Sequence, residues 1–381
     1  MKRKEENKYF LLLYYILAVF IILAVIITLN TASLSIHRDY DLQIKASNRS
    51  LSVMEILKKQ EEEVSKSYDY GDFYETYDHK KYYDLNNLNT GMIGAEYTAI
   101  TTTLGNLDSK KTSLDPNFAA VYIKMFSQLS LKEGDEVVIN ISGSFPMLDI
   151  SCIMAAEEYG LKPFIMASIG ASSYGATNPA FTIFDMLEYL YSENLIKSRI
   201  DIVSLGGSND VGENFGEFND YHDRNLILER INQSGVYFLY EKKFDKNVEQ
   251  RLNLINEKCK NVKLFVNIGG NSVGIGVNEN AYYQANGILY ANRYKKSNST
   301  SKGEGLIEKF LSSGVDSIQM LNLKSIASNY GFKYGFNELP EVGVGDSYYE
   351  KSYNLTYPLI AIVSIFAFLI YYKKRKLSKE I

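Results

Sequence analysis

Between residues 117 and 330, short β-branched runs alternate with stretches whose apolar residues recur at helical spacing. The pattern predicts strands at 136–142, 163–168, 200–205, 236–240 and 262–268. It predicts helices at 117–130, 147–159, 181–195, 221–233, 246–259, 306–311 and 323–330. In the first helix Phe118, Val121, Tyr122, Met125, Phe126 and Leu129 form one apolar stripe. Regular alternation of this kind implies an α/β fold: a mostly parallel sheet with helices on both faces, a Rossmann-like three-layer arrangement. With 46% hydrophobic residues the chain can bury a sizeable core, which excludes a mainly disordered, collagen-like or disulfide-scaffold protein.

The two ends add a second expectation. Phe10–Leu29 is a run of 20 uncharged residues, preceded by Lys2, Arg3, Lys4 and Lys8. A cleaved signal peptide is the alternative, but its apolar region is usually ~7–15 residues, and Thr31-Ala32-Ser33 matches a cleavage site poorly. Leu355–Tyr372 is a second uncharged run, with Pro358 near its start and Lys373, Lys374, Arg375 and Lys376 directly after it. The expectation is two transmembrane helices, 10–29 and 355–372, flanking the fold. Basic residues on the outer sides place the 1–9 and 373–381 termini in the cytoplasm. The chain is then a two-pass protein of the cytoplasmic membrane with an extracytoplasmic α/β domain over 117–350. Residues 30–116 supply a membrane-proximal helix near 34–67, read as a plain stalk, and a Tyr-rich loop at 68–83. Residues 31–350 hold 31 Lys/Arg against 42 Asp/Glu, a net charge of −11, so nucleic acid is not an expected partner.

In open α/β sheets, ligands bind beyond the carboxyl ends of the strands. Four predicted strands run there into small, polar turns. The candidate ligand-binding residues are Ser142, Gly143 and Ser144 in the first turn, and Ser172, Ser173 and Asn178 in the second. Gly207, Ser208, Asn209 and Asp210 belong to the third, and Gly270 and Asn271 to the fourth. Glycine admits close approach of backbone to ligand, and Ser and Asn supply neutral donors and acceptors. Any one such turn is ordinary turn and cap chemistry; four at one edge imply a pocket. None fits the phosphate-binding glycine signatures in context, so no nucleotide or other cofactor is expected. Three histidines and two cysteines leave no metal site to predict. Cys152 and Cys259 are read either as a disulfide pair or as two free buried thiols.

Gly207-Ser208-Asn209-Asp210 contains the G-x-N-D string of the SGNH hydrolases, in which the Asn donates to an oxyanion. The rest of that pattern is misplaced: Gly345-Asp346-Ser347 lies at the wrong end of the fold, and His222 follows the Asn block too soon. Ser144 with His222 and Asp210 is one trio a hydrolase would use. Asp149 and Asp185 stand at helix starts, where a carboxylate either reaches a pocket or complements the helix dipole.

Three long strings carry a family resemblance: GMIGAEYTAITTTLGNLDSKKTSLDPNFAA (Gly91–Ala120), ISGSFPMLDI (Ile141–Ile150) and ASIGASSYGATNPAFTIFDM (Ala167–Met186). With NIGGNSVGIG (Asn267–Gly276), they resemble the poly-γ-glutamate system protein family. Ile183-Phe184-Asp185, where a Trp-Leu-Asp-like run is expected, and the 68–83 insertion depart from it. The resemblance implies an accessory membrane component of poly-γ-glutamate (capsule) biosynthesis or export. It implies the polymer chain, the ATP-dependent poly-γ-glutamate synthase and that enzyme's membrane subunits as partners. It brings no catalytic residues. Two other readings stay open: an extracytoplasmic SGNH-like hydrolase or transferase that trims or anchors the polymer, and a scaffold for the synthase.

Overall fold

The computed structural model describes residues 2–68, 88, 90–213, 221–278, 286–295 and 302–377. In chain order the elements begin with α1 (Lys2–Asn30), β1 (Ser33–Ile36), α2 (Tyr40–Ser67), β2 (Thr101–Thr103), α3 (Leu107–Ser113) and α4 (Phe118–Gln128). The alternating region follows with β3 (Glu136–Ser142), α5 (Pro146–Glu158), β4 (Lys162–Ser168), β5 (Ala171–Ser172), α6 (Ile183–Ser192), β6 (Ile200–Ser204) and α7 (Tyr221–Ser234). It continues through β7 (Tyr237–Phe238), α8 (Phe244–Lys258), β8 (Val262–Ile268), α9 (Ser272–Ile275), β9 (Gly287–Leu289), α10 (Leu306–Ser312), β10 (Asp316–Met320) and α11 (Leu323–Asn329). The chain closes with β11 (Tyr349–Ser352) and α12 (Thr356–Leu377). It divides into two units, Arg38–Tyr348 and the paired ends Met1–His37 with Tyr349–Ile381.

The Arg38–Tyr348 body is built on a seven-stranded sheet of order β7-β6-β4-β3-β8-β10-β9. All pairings are parallel except β10 with β9, so the sheet is mixed, with one antiparallel edge strand. The period of two along each strand sorts side chains to two cores. Val137, Ile139 and Ile141 of β3 face one apolar cluster and Val138 the other. Ile165 and Ala167 against Phe164 and Met166 repeat this in β4, and Leu264, Val266 and Ile268 against Phe265 repeat it in β8. One face is covered by apolar residues of α2, α4, α5, α6, α7 and α11, the other by those of α8 and α10. Helices thus lie on both faces, as the alternation implies.

The 34–67 helix is α2, and it is not a stalk. Ala46, Val53, Met54 and Leu57 are buried in the larger core, against α4 and α5. Gln43 donates to the carbonyls of Ala120 (3.1 Å) and Ser347 (2.8 Å), and Arg49 pairs with Glu157 and Glu158. The expected Tyr-rich loop at 68–83 lies, beyond Tyr68, outside the described residues.

In the other unit β1 and β11 form an antiparallel ribbon, Ser33 opposite Ser352 through Ile36 opposite Tyr349, and α1 and α12 contact each other. The expected transmembrane helices are corrected here. Among the described residues no helix is long and apolar enough to cross a membrane. In α12 the basic cluster Lys373 to Lys376 falls inside the helix. The uncharged part from Thr356 to Tyr372 spans about 25 Å, the short limit for a ~30 Å hydrocarbon core. Of α1, side chains are described from Leu12 onward with Leu13 excepted, so the start of the expected 10–29 span lies outside the described residues. The two-pass membrane placement, the cytoplasmic termini and the extracytoplasmic position of the body fall with those helices.

Phe118 is fully buried and meets Phe332 edge-on, ring centroids 5.3 Å apart. Phe118→Ala is expected to destabilise the body by about 3–5 kcal/mol through lost burial and the cavity left behind. Leu104, 73% exposed, should tolerate the same change within about 0.5 kcal/mol. Denaturant melts of the two variants check the contrast.

Candidate functional site

The sheet order defines a switch point. After β3 the chain turns to β4 on one side, and β8 later pairs with β3 on the other. The connections leaving β3 and β8 diverge, and a crevice opens beyond their carboxyl ends. A cavity of about 370 Å³ occupies that place.

The first turn is held against the second by close backbone approach. Gly143 N–H donates to Ser168 O (3.0 Å), and Ala176 N–H donates to Gly143 O (2.7 Å). A Cβ on Gly175 would lie 2.4 Å from Gly143 O, so a larger residue there would force the turns apart. Ser144 Oγ accepts from Ser172 N–H at 3.1 Å. Ser142, at the end of β3, is 3% exposed; its hydroxyl has no hydrogen-bond partner among the described residues, and the residue lines the cavity.

The third turn is fixed from below by a buried ion pair. Asp210 Oδ2 accepts from Arg251 Nη2 at 2.5 Å and from Asn247 Nδ2 at 3.2 Å. Its Oδ1 accepts from the Ser204 (2.8 Å) and Ser168 (3.1 Å) hydroxyls. Arg251 and Asp210 are 0% and 1% exposed. Asn209 and Asp210 both take left-handed φ, +52° and +64°, a conformation that Asn and Asp tolerate better than most residues. The fourth turn rests on an amide network. Asn267 Nδ2 donates to Gly269 O (3.0 Å) and Gln319 Oε1 (2.7 Å), while Asn140 Nδ2 donates to Asn267 Oδ1 (2.6 Å) and Asn271 Oδ1 (2.9 Å).

Of the sequence-predicted residues, Ser142, Ser144, Ser172, Gly207, Ser208, Gly270 and Asn271 line that cavity together. The others do not, and each has a structural task. Gly143 allows the backbone approach just described. Ser173 N–H donates to Thr103 O (2.9 Å), and Asn178 donates to Glu61 (2.9 Å) and Ser65 (3.0 Å). Asn209 donates to Glu213 (3.1 Å), and Asp210 holds Arg251. The Ser144–His222–Asp210 trio is not assembled: both Asp210 oxygens are engaged as above, and His222 is exposed on α7. Asp185 completes a capping box with Thr182 and pairs with Arg230 at 2.8 Å, the dipole-side role. Both cysteine thiols are free, Cys152 buried in α5 and Cys259 half-buried after α8.

The residue that sequence reading missed is Lys110 on α3. It is 2% exposed and is the one charged side chain among the described cavity-lining residues. Its Nζ donates to Ser144 O, lies 2.7 Å from Ser172 Oγ and sits 4.4 Å from the centroid of the Phe145 ring. Burial lowers its pKa to about 7, with the charge of Asp149 opposing. Asp149, in the first turn of α5, is fully buried, and among the described residues neither of its oxygens has a hydrogen-bond partner. Burial drives its carboxyl well above the ordinary carboxylate value, with Lys110 opposing. A signal for Lys110 existed: Leu107, Lys110 and Leu114 share a helix face at i, i+3 and i+7, so the lysine stands where a core residue is expected. Thr102, Thr103 and Asn106, from β2 and the cap of α3, also line the cavity. No protein-family model, curated protein or solved structure matches the chain, so the poly-γ-glutamate resemblance stands on its sequence strings alone.

Arg251→Met would leave Asp210 buried without its cation and is expected to cost about 3–5 kcal/mol, read as a lowered denaturation midpoint. The depressed Lys110 pKa gives a second expectation. Between about pH 7 and the ordinary lysine value of 10.5 the unfolded chain holds more protons than the folded one, so stability rises with pH across that window. Lys110→Met should flatten the rise, measured as the wild-type-minus-variant difference in unfolding free energy against pH.

Proposed function

We propose that the Arg38–Tyr348 body is an accessory component of poly-γ-glutamate biosynthesis or export, and that it binds the polymer's end or its glutamyl units in the cavity beyond β3 and β8. The observation that carries this reading is a single buried amine, Lys110, set among hydroxyls in a closed rim of small-residue turns. One cation meets one carboxylate, and the unpartnered Ser142 hydroxyl offers a donor to an amide carbonyl or carboxylate oxygen. The acidic balance of residues 31–350 repels a long polyanion, so recognition is confined to a terminal unit seated in the cavity. Binding limited to one or two units also permits release of the chain. The resemblance in the Gly91–Ala120, Ile141–Ile150, Ala167–Met186 and Asn267–Gly276 strings supports the polymer's identity, and the poly-γ-glutamate synthase complex is the partner that would deliver it.

Calorimetric titration of the full chain with short γ-linked glutamyl oligomers tests the reading, with α-linked oligomers of equal length as the comparison. Saturable binding that prefers the γ-linked ligand is expected. Lys110→Met should weaken it about tenfold or more, the loss of one charge-assisted hydrogen bond. Asn209→Ala, outside the cavity, should bind as the parent does. Equal affinity for both linkages, or no saturable binding, would remove the proposal.

A further inference from the structure

The contact between Lys110 and Ser172 has a chemistry that ligand binding does not require. A lysine placed only to hold a carboxylate would point its amine into open cavity space. Here Nζ is held by Ser144 O on one side and lies 2.7 Å from Ser172 Oγ on the other. Ser172 is half-buried and lines the cavity at the end of β5, whose pairing with β2 sets its position. We propose that Ser172 is a nucleophile and Lys110 its general base, so that the cavity carries out acyl transfer on an amide or ester carbonyl. This rests on the reading of the cavity as a ligand site, and it extends that reading from binding to reaction.

The geometry supplies each part. The protonated amine donates to Ser144 O and to Ser172 Oγ. A neutral amine has two N–H groups and one lone pair, so with one N–H kept on Ser144 O, rotation about Cε–Nζ turns the lone pair to the Ser172 hydroxyl and reverses that contact. Burial, by holding the Lys110 pKa near 7, keeps much of the amine neutral at neutral pH. The titratable group whose charge acts on Lys110 is Asp149; Tyr122 and Cys152 in turn feel Asp149, and burial pushes the ionisation of all three upward. In the step, Ser172 Oγ bonds to the carbonyl carbon as its proton passes to Lys110 Nζ. The Phe145 ring, 4.4 Å from Nζ, stabilises the ammonium so formed. The Ser142 hydroxyl, buried and unpartnered at the cavity wall, donates to the developing oxyanion. Collapse breaks the carbonyl carbon's bond to the leaving amine or alcohol, which takes the proton back from Lys110. Water, or the amine of an acceptor, then attacks the acyl-Ser172, gives its proton through Lys110 to Ser172 Oγ, and releases a carboxylic acid or a new amide. For a γ-glutamyl substrate this is trimming or transfer of the chain end.

The full chain with p-nitrophenyl acetate tests the pair. A burst of nitrophenolate is expected, with an acetyl group located on Ser172 by peptide mass mapping and a burst rate that rises with pH through about 7. Ser172→Ala should abolish the adduct, whereas Asn209→Ala, outside the cavity, should be labelled as the parent is; oligomer binding by the wild type is titrated separately, so that binding and reaction are judged apart. Lys110→Met should slow acylation by about 100-fold or more. If that variant melts below the assay temperature, Ser172→Ala and the wild-type pH profile decide. An unlabelled wild type, an adduct on Lys110 or elsewhere, or a burst independent of pH would each overturn the assignment.

Discussion

Strand β3 lies between β4 and β8 in parallel register, and the rest of the site depends on that pairing. Asn140 and Ser142 stand on one strand with neighbours on both sides. The connection to β4 leaves toward one face and the chain returns from the other, so a gap beyond β3 cannot be covered by either crossover helix. Small-residue turns can close around that gap without filling it. A sheet in simple sequential order would have placed the same four turns in a row along its edge, with no divergence between them.

The turns are held by polar groups taken out of water, which is an expensive way to build. Arg251 and Asp210 are both buried, and Asn140, Asn267, Gln319 and Asn271 form an amide chain beneath the fourth turn. Buried polar groups cost free energy unless satisfied, and here each of these side chains has at least one partner. A satisfied buried network stabilises little beyond an apolar core of the same shape, but it admits one geometry. Among the described residues Ser142 Oγ, both Asp149 oxygens and Asn140 Oδ1 are buried without a partner, as are atoms elsewhere in the body such as Tyr122 Oη and Ser317 Oγ. Each such group marks a place where the fold gives up stability.

Much of the scaffold was legible in the residues. β3 and β8 fall on the predicted ranges, and most helices end within two or three residues of theirs, because β-branched runs and apolar stripes report burial directly. β10 was not legible: in Asp316–Met320 the buried positions Ser317 and Gln319 are polar, so the run reads as a loop. α3 was missed because it is short and its inward face carries a lysine. The stalk reading of α2 failed because its apolar stripe, rather than pairing with another chain, is buried against α4 and α5. The terminal runs were read as spans from their uncharged length, and among the described residues no helix is long and apolar enough to cross a membrane.

The residues by themselves determined the layered α/β body and the chemistry of its rim, since hydrophobic period and turn-forming residues act over a few positions and need no knowledge of the rest of the chain. Which rim residues share a cavity, and that Lys110 enters it, was decided only by the tertiary structure. Ser142, Ser172 and Lys110 are brought together by the pairing of β3 with β4 and β8 and of β2 with β5. Those contacts join positions tens to more than a hundred residues apart. The burial that lowers the Lys110 pKa exists only once they have formed.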